Sequence, residues 1–175
     1  DLIEKSCGGF ELYQRTGTPI HPMSPLSKIF WMRHKEPKIF KQTAMFADLK
    51  TYVLFQLYER FVIDYSLGSA TGMMNLEQLD WDNKALELLG IERNQLPPLV
   101  PTTHVLTGMK KRYAKLMGID EQTPVIVGAS DGVLSNLGVN SYQKGEVAVT
   151  IGTSGAIRTV INQPKTDEKG RIFCY

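Results

Sequence analysis

Apolar residues recur at helical spacing along most of the chain and alternate only near its end. Asp1 to Gln14 reads as a helix followed by a short connection. Leu26, Ile29, Phe30 and Arg33 follow at helical intervals behind Ser24 and Pro25, a good N-cap and a proline at the first helical position. Glu36-Pro37 ends that helix. Leu49, Val53, Leu57 and Phe61 repeat every four residues, which predicts one apolar face of a long helix. Met109, Tyr113, Leu116 and Met117 make a further stripe. Pro124 to Val127 predicts a short buried strand, and Val133, Leu134 and Leu137 face one way on the helix after it. Val147, Val149 and Ile151 alternate, as do Ile157, Thr159 and Ile161. The residues between them, Gly152 to Gly155, suit a hairpin turn.

Breakers separate these segments. Three prolines in seven positions make Thr16 to Pro25 a loop. Small residues turn the chain between Gly68 and Gly72. A short helix is predicted from Asn83 to Leu89, stopped by Gly90. "NQLPPLVPTT" is a proline-rich connection. The order is helices first, then strand, helix and hairpin, with a composition shift near Asp120 to Pro124. A domain boundary is placed there, dividing the chain into 1–123 and 124–175.

Composition narrows the class. At 175 residues, 42% hydrophobic and 22% charged, the chain has the make-up of a soluble globular protein, one domain or parts of two. A net charge of +2 is too small to argue for nucleic acid or an anionic membrane. No apolar run is long enough to span a bilayer, and no basic–apolar signal opens the chain. Cys7 and Cys174 lie far apart and suggest no metal or disulfide framework, which fits a reducing cytoplasm. There is no initial Met, and "GRIFCY" reads as the start of a strand. Both ends read as cuts, and the chain as an internal segment of a longer protein.

Two places could carry chemistry. Asp131 follows a strand and precedes a helix, where ligands of α/β folds tend to bind. A carboxylate there can take a proton from a hydroxyl or hold magnesium; it can also simply cap the helix beginning at Gly132. Gly152 to Gly155, "GTSG", can bring backbone N–H groups and the hydroxyls of Thr153 and Ser154 to an anion, or be a polar turn. Neither common glycine-rich nucleotide motif occurs. His21, His34 and His104 lack metal-ligand spacing, though His21 and Met23 could line a pocket. "DWDN", Asp80 to Asn83, lacks the glycine and distant glutamate of a calcium loop and reads as a helix start. "KKRYAK", Lys110 to Lys115, reads as a solvated helix face.

The order of blocks is more specific than any one of them. "TGTPIHPMSPLSKIFWMR", "DYSLGSATGMMNLEQLDWDNKALELLG", "VIVGASDGVLSNLG" and "VAVTIGTSG" together resemble the FGGY carbohydrate kinase family, from about Tyr13 to Val160. The chain looks closest to the gluconate-phosphorylating members. The resemblance implies an α/β fold of the actin-like ATPase, ribonuclease H-like type, present in part. Residues 1–123 would be the closing portion of the sugar-binding domain and 124–175 the opening of the nucleotide-binding domain. It implies ATP and Mg²⁺ as cofactors, and transfer of the γ-phosphate to gluconate in the cytoplasm. A kinase for xylulose, ribulose or glycerol is the alternative, and a non-catalytic module of the same fold is another. Asp131 takes the position of the catalytic base, touching substrate and metal. Gly152, Thr153, Ser154 and Gly155 match the loop at the terminal phosphates. His21 and Met23 fall in the loop lining the polyol pocket, where glycerol kinase has an aromatic residue at the Met23 position. No nucleic acid or membrane partner is implied, and a homodimer is one assembly open to it. The family's amino-terminal phosphate loop, sugar contacts and adenine-binding part have no counterpart in this sequence. The 175 residues alone are therefore expected to be inactive.

Overall fold

The computed structural model describes residue 3 and residues 8–175. Cys7 and most of the opening of the Asp1–Gln14 helix lie outside them. Helix α1, Gly9–Thr16, runs two residues past the expected end and stops at Gly17, whose φ of 68° closes it. A Cβ at Gly17 would stand 2.2 Å from the Cys174 carbonyl oxygen and 2.6 Å from Leu76 Cδ1, so both the turn and the packing call for glycine. The "GRIFCY" segment is not a strand. Instead it lies irregularly along α1, where Cys174 N–H donates to Gly17 O (2.9 Å) and Tyr13 Oη donates to Ile172 O (2.7 Å).

Helix α2, Pro25–Lys35, starts as its sequence predicts, with Ser24 Oγ accepting from Ser27 N–H and Leu26 and Ile29 buried. The chain does not leave helix for long after Glu36. Pro37 opens a second helix, α3, Pro37–Gln42, because a first-turn proline forfeits no hydrogen bond. Helix α4, Leu49–Tyr58, is shorter than expected and turns another face inward. Thr51, Leu54 and Tyr58 are buried, whereas Leu49 is 79% exposed. The Asp48 cap and the Thr51 hydroxyl, which donates to Val62 O at 2.9 Å, set that rotation. Glu59, at φ 56°, ends the helix, so Phe61 falls outside it and stacks on Phe55.

The strands are short. Strand β1, Ile63–Asp64, leads directly into helix α5, Tyr65–Ser69. Strand β2, Met74–Asn75, pairs antiparallel with β3, Asp80–Trp81. Helix α6, Asn83–Leu89, follows with Gly90 as its stop, as expected. A 3₁₀ turn, Arg93–Gln95, and strand β4, Leu99–Val100, occupy the proline-rich connection; β4 lies parallel to β1, with Ile63 opposite Leu99. Strand β5, Val105–Leu106, and helix α7, Lys111–Met117, precede β6, Val125–Ile126, which is antiparallel to β5. Helix α8, Asp131–Gly138, leads to the hairpin of β7, Val147–Ile151, and β8, Gly155–Thr159.

The core gathers in the first three-quarters of the chain. One cluster centres on Leu12, Leu26, Ile63, Met74, Trp81 and Leu89, and a second on Leu54, Tyr58, Leu106, Met109 and Val127. Three expected apolar faces bury only in part. Leu116 is 82% exposed, with Met117 also out, because α7 turns Ala114 inward. Ile126, Leu134 and Leu137 are exposed, and α8 buries Gly132 and Asn136 instead. The hairpin forms, but Gly155 opens β8 opposite Ile151, so the turn is one residue shorter than Gly152 to Gly155; its valine and isoleucine side faces out and only Ala148 is buried.

One polar node ties the first cluster together. Asp82 caps α6 by accepting from Ala85 N–H (2.9 Å), and its carboxylate also takes Arg15 Nε (2.8 Å) and Asn75 Nδ2 (3.1 Å). Burial pushes the Asp82 carboxyl up, but the hydrogen bonds from Arg15, Ala85 and Asn75 outweigh it and hold the group below the usual carboxylate range. Asp82→Ala is expected to destabilise the fold by about 2 kcal/mol in urea unfolding, through the lost cap and charged hydrogen bonds. Because the folded pKa is the lower one, this stabilisation is complete above about pH 4 and fades as pH falls through the depressed value. The gap between wild type and variant should therefore narrow in acid.

Candidate functional site

Asp131 is the first residue of α8, and Ser130 holds the cap position. The capping role considered for Asp131 thus belongs one residue earlier. Asp131 lies in the first turn, exposed, with Oδ1 accepting from Gly132 N–H at 2.7 Å. A carboxylate there gains from the positive end of the helix while remaining open to a ligand.

The segment that delivers it is held on several sides. Val127 N–H donates to His104 O and Gly128 N–H to Thr102 O, both at 2.9 Å. Gly128 has φ 74°, which turns the chain out of β6 toward α8. Lys50 Nζ donates to Val127 O and Gly128 O, each at 3.3 Å, and also meets Asp64. Ser130 N–H donates to Ser66 Oγ at 2.8 Å. Lys50, Asp64 and Ser66 were not singled out from the sequence. Their one legible signal is Asp64 just before a helix, the position of a side-chain cap.

The hairpin turn has Gly152 N–H donating to Ser154 O at 2.9 Å, with Thr153 and Ser154 exposed. A Cβ placed on Gly152 would meet nothing closer than Ser154 O at 3.8 Å, so the side of Gly152 where a side chain would stand is open to a ligand. The hairpin and α8 meet through Arg158. A Cβ on Gly132 would stand 3.2 Å from Arg158 Nε and 3.3 Å from Tyr175 Oη. The Arg158 side chain thus reaches from β8 over the first turn of α8, at the residue after Asp131.

His21 and Met23 lie elsewhere, in the loop before α2. Met23 N–H donates to His21 Nδ1 at 3.2 Å, and both side chains are exposed. His21 edges a groove of about 650 Å³ walled by Ile20, Lys28, Phe30 and Trp31. Among the described residues no hydrogen bond or ion pair joins this loop to Asp131.

No cluster of three or more His, Cys, Asp or Glu side chains occurs among the described residues. A lone exposed carboxylate still suits magnesium, which keeps several waters and takes one or two carboxylates together with phosphate oxygens.

The family described as FGGY family of carbohydrate kinases, N-terminal domain, matches residues 1–138. The chain belongs to the FGGY family of carbohydrate kinases. It is 57% identical over 173 residues to the gluconokinase of Bacillus subtilis (strain 168), covering 99% of this chain and 34% of that protein. It superposes with a TM-score of 0.95 and 39% identity on the Lactobacillus acidophilus gluconate kinase, and with the same values on a ligand-bound xylulose kinase of that organism. Each comparison covers 99% of this chain and 35% of the other. The chain thus spans about a third of the length of the FGGY kinases it matches. Its fold is part of their α/β, actin-like, ribonuclease H-like fold. Among the described residues no helix is long and apolar enough to cross a membrane.

Gly128 offers a test of this FGGY segment. Nothing lies within 4 Å of a Cβ placed there, so Gly128→Ala meets only the left-handed backbone penalty, about 1–2 kcal/mol. Gly128→Asn should cost less, since asparagine tolerates that conformation. Thermal unfolding of the two variants should rank them in that order.

Proposed function

We propose that the full-length protein carrying this chain is an ATP-dependent gluconate kinase. It transfers the γ-phosphate of ATP to a hydroxyl of gluconate and releases ADP and 6-phosphogluconate. The observation that carries this reading is the exposed Asp131 carboxylate at the head of α8, with the Arg158 side chain of β8 reaching over the same turn. The 57% identity to the B. subtilis gluconokinase favours gluconate. The L. acidophilus neighbours carry the names of two sugars at equal similarity, so xylulose is the second reading.

In this reading Asp131 accepts the proton of the attacking hydroxyl and orients that oxygen toward the phosphorus. The backbone of Gly152 to Gly155 and the hydroxyls of Thr153 and Ser154 hold the terminal phosphates. Phosphoryl transfer asks for placement and charge stabilisation more than covalent chemistry, and these groups supply both. Magnesium, held by Asp131 and the phosphates, would neutralise the charge that develops on the transferred group. His21 and Met23 border the polyol. Residues 1–123 close the sugar-binding domain and 124–175 open the nucleotide-binding one, although the family match runs across that division to residue 138. A cytoplasmic location and a homodimer belong to the same proposal.

ADP release by the full-length protein, with Mg-ATP and gluconate, xylulose, ribulose or glycerol in turn, tests the substrate. Gluconate-selective turnover is expected; selective turnover of another sugar would replace the substrate and keep the mechanism. Asp131→Asn in that protein should lower kcat on the order of 10²–10⁴-fold. An unchanged rate would remove Asp131 as the base. The 175-residue chain by itself should give no turnover.

A further inference from the structure

The Lys50–Asp64–Ser66 group lies outside the site assigned above, and its geometry is more than a helix cap requires. Asp64 is fully buried. Its Oδ1 accepts from Ser66 N–H (3.0 Å), Leu67 N–H (3.3 Å) and the Ser66 hydroxyl, which caps α5. Its Oδ2 takes Lys50 from α4. A cap needs only the backbone donors. The cation is what a carboxylate shut away from water needs, and this cation has two further donors, directed at Val127 O and Gly128 O.

The Ser66 hydroxyl has a single proton, and that proton goes to Asp64. Toward Ser130 it can only accept, and it accepts the Ser130 N–H. The neighbouring negative charge strengthens it as an acceptor. Ser130 caps α8 without a side-chain capping bond, so its backbone N–H is the group that fixes the start of the helix. Lys50 grips the carbonyls on one side of Ala129, and Ser66 grips the N–H on the other. Between them they restrain the left-handed turn at Gly128 and the residue directly before Asp131.

We propose that Ser66, oriented by the buried Asp64–Lys50 pair, is a positioning residue for Asp131: it fixes the head of α8 so that the carboxylate meets the accepting hydroxyl in line with the phosphate. This rests on Asp131 being the base of the proposed kinase. Small displacements of a reacting group can cost on the order of 10²-fold, so the role predicts a loss in kcat with substrate binding retained.

The test is a double-mutant cycle in the full-length protein, with Mg-ATP and the sugar turned over in the panel above. Ser66→Ala should lower kcat roughly 10- to 100-fold, with KM for ATP and sugar within about twofold. Ser66→Thr, which keeps the hydroxyl, should restore most of the rate. Ser66→Ala combined with Asp131→Asn should be no slower than Asp131→Asn alone, because two residues acting as one unit do not add. If Ser66→Ala does not fold, Ser66→Cys keeps the volume with weaker bonds and should give an intermediate rate. A folded Ser66→Ala or Ser66→Cys with wild-type kcat overturns the proposal, as do additive losses in the cycle. An unaffected Asp131→Asn refutes the kinase reading of Asp131 instead, so the two failures are told apart.

Discussion

A carboxylate with no access to water must be met by donors on each oxygen, and Asp64 is the place where this constraint shapes the molecule. Two backbone N–H groups and a hydroxyl come from α5, and the cation comes from α4. Since α4 and α5 are joined through β1, the charge fixes how the second apolar cluster sits against the first. The same requirement reaches the β6–α8 connection, because the donors of Lys50 not directed at Asp64 find carbonyls there. Removing the lysine would strand a buried charge; removing both partners would free the connection. The arrangement is specific because each group has few alternatives.

Asp82 solves a similar problem by a different route. It too is buried and caps a helix, but its cation, Arg15, comes from α1, and Asn75 completes the set from β2. Three elements, α1, β2 and α6, therefore converge on one side chain. Between them the two aspartates stitch the irregular, strand-poor first part of the chain into a defined shape. Paired strands of two residues could not do this through ladder hydrogen bonds alone.

Local chemistry was readable from the sequence where it is self-contained. Ser24 with Pro25 announced α2, Gly90 closed α6, and the alternation around Gly152 to Gly155 marked the hairpin, though not the length of its turn. What failed was the direction of burial. Leu49, Val53 and Leu57 form a convincing stripe, but the Thr51 hydroxyl and the Asp48 cap turn a different face inward, and no periodicity reports a tertiary hydrogen bond. The strand in the proline-rich connection was missed because two residues carry no pattern. Asp131 and the glycine-rich turn were legible as candidates; the reach of Arg158 from β8 over Gly132 appears only in three dimensions. Lys50 was hidden because a lysine on a helix reads as solvated until its buried partner is known.

The hairpin presents valine and isoleucine outward along both strands, with Ile151 86% exposed beside the turn. A two-stranded ribbon without cover on its apolar side is marginal on its own. Its amide protons should therefore open to solvent at a small fraction of the free energy that guards Leu12 or Leu89, and hydrogen exchange would show the molecule as two kinetic layers. The less protected layer carries the turn proposed to meet the phosphates. Any surface that later covers those side chains would quench that motion and sharpen the turn at the same time, which couples order in the glycine-rich turn to burial on the apolar side of the ribbon.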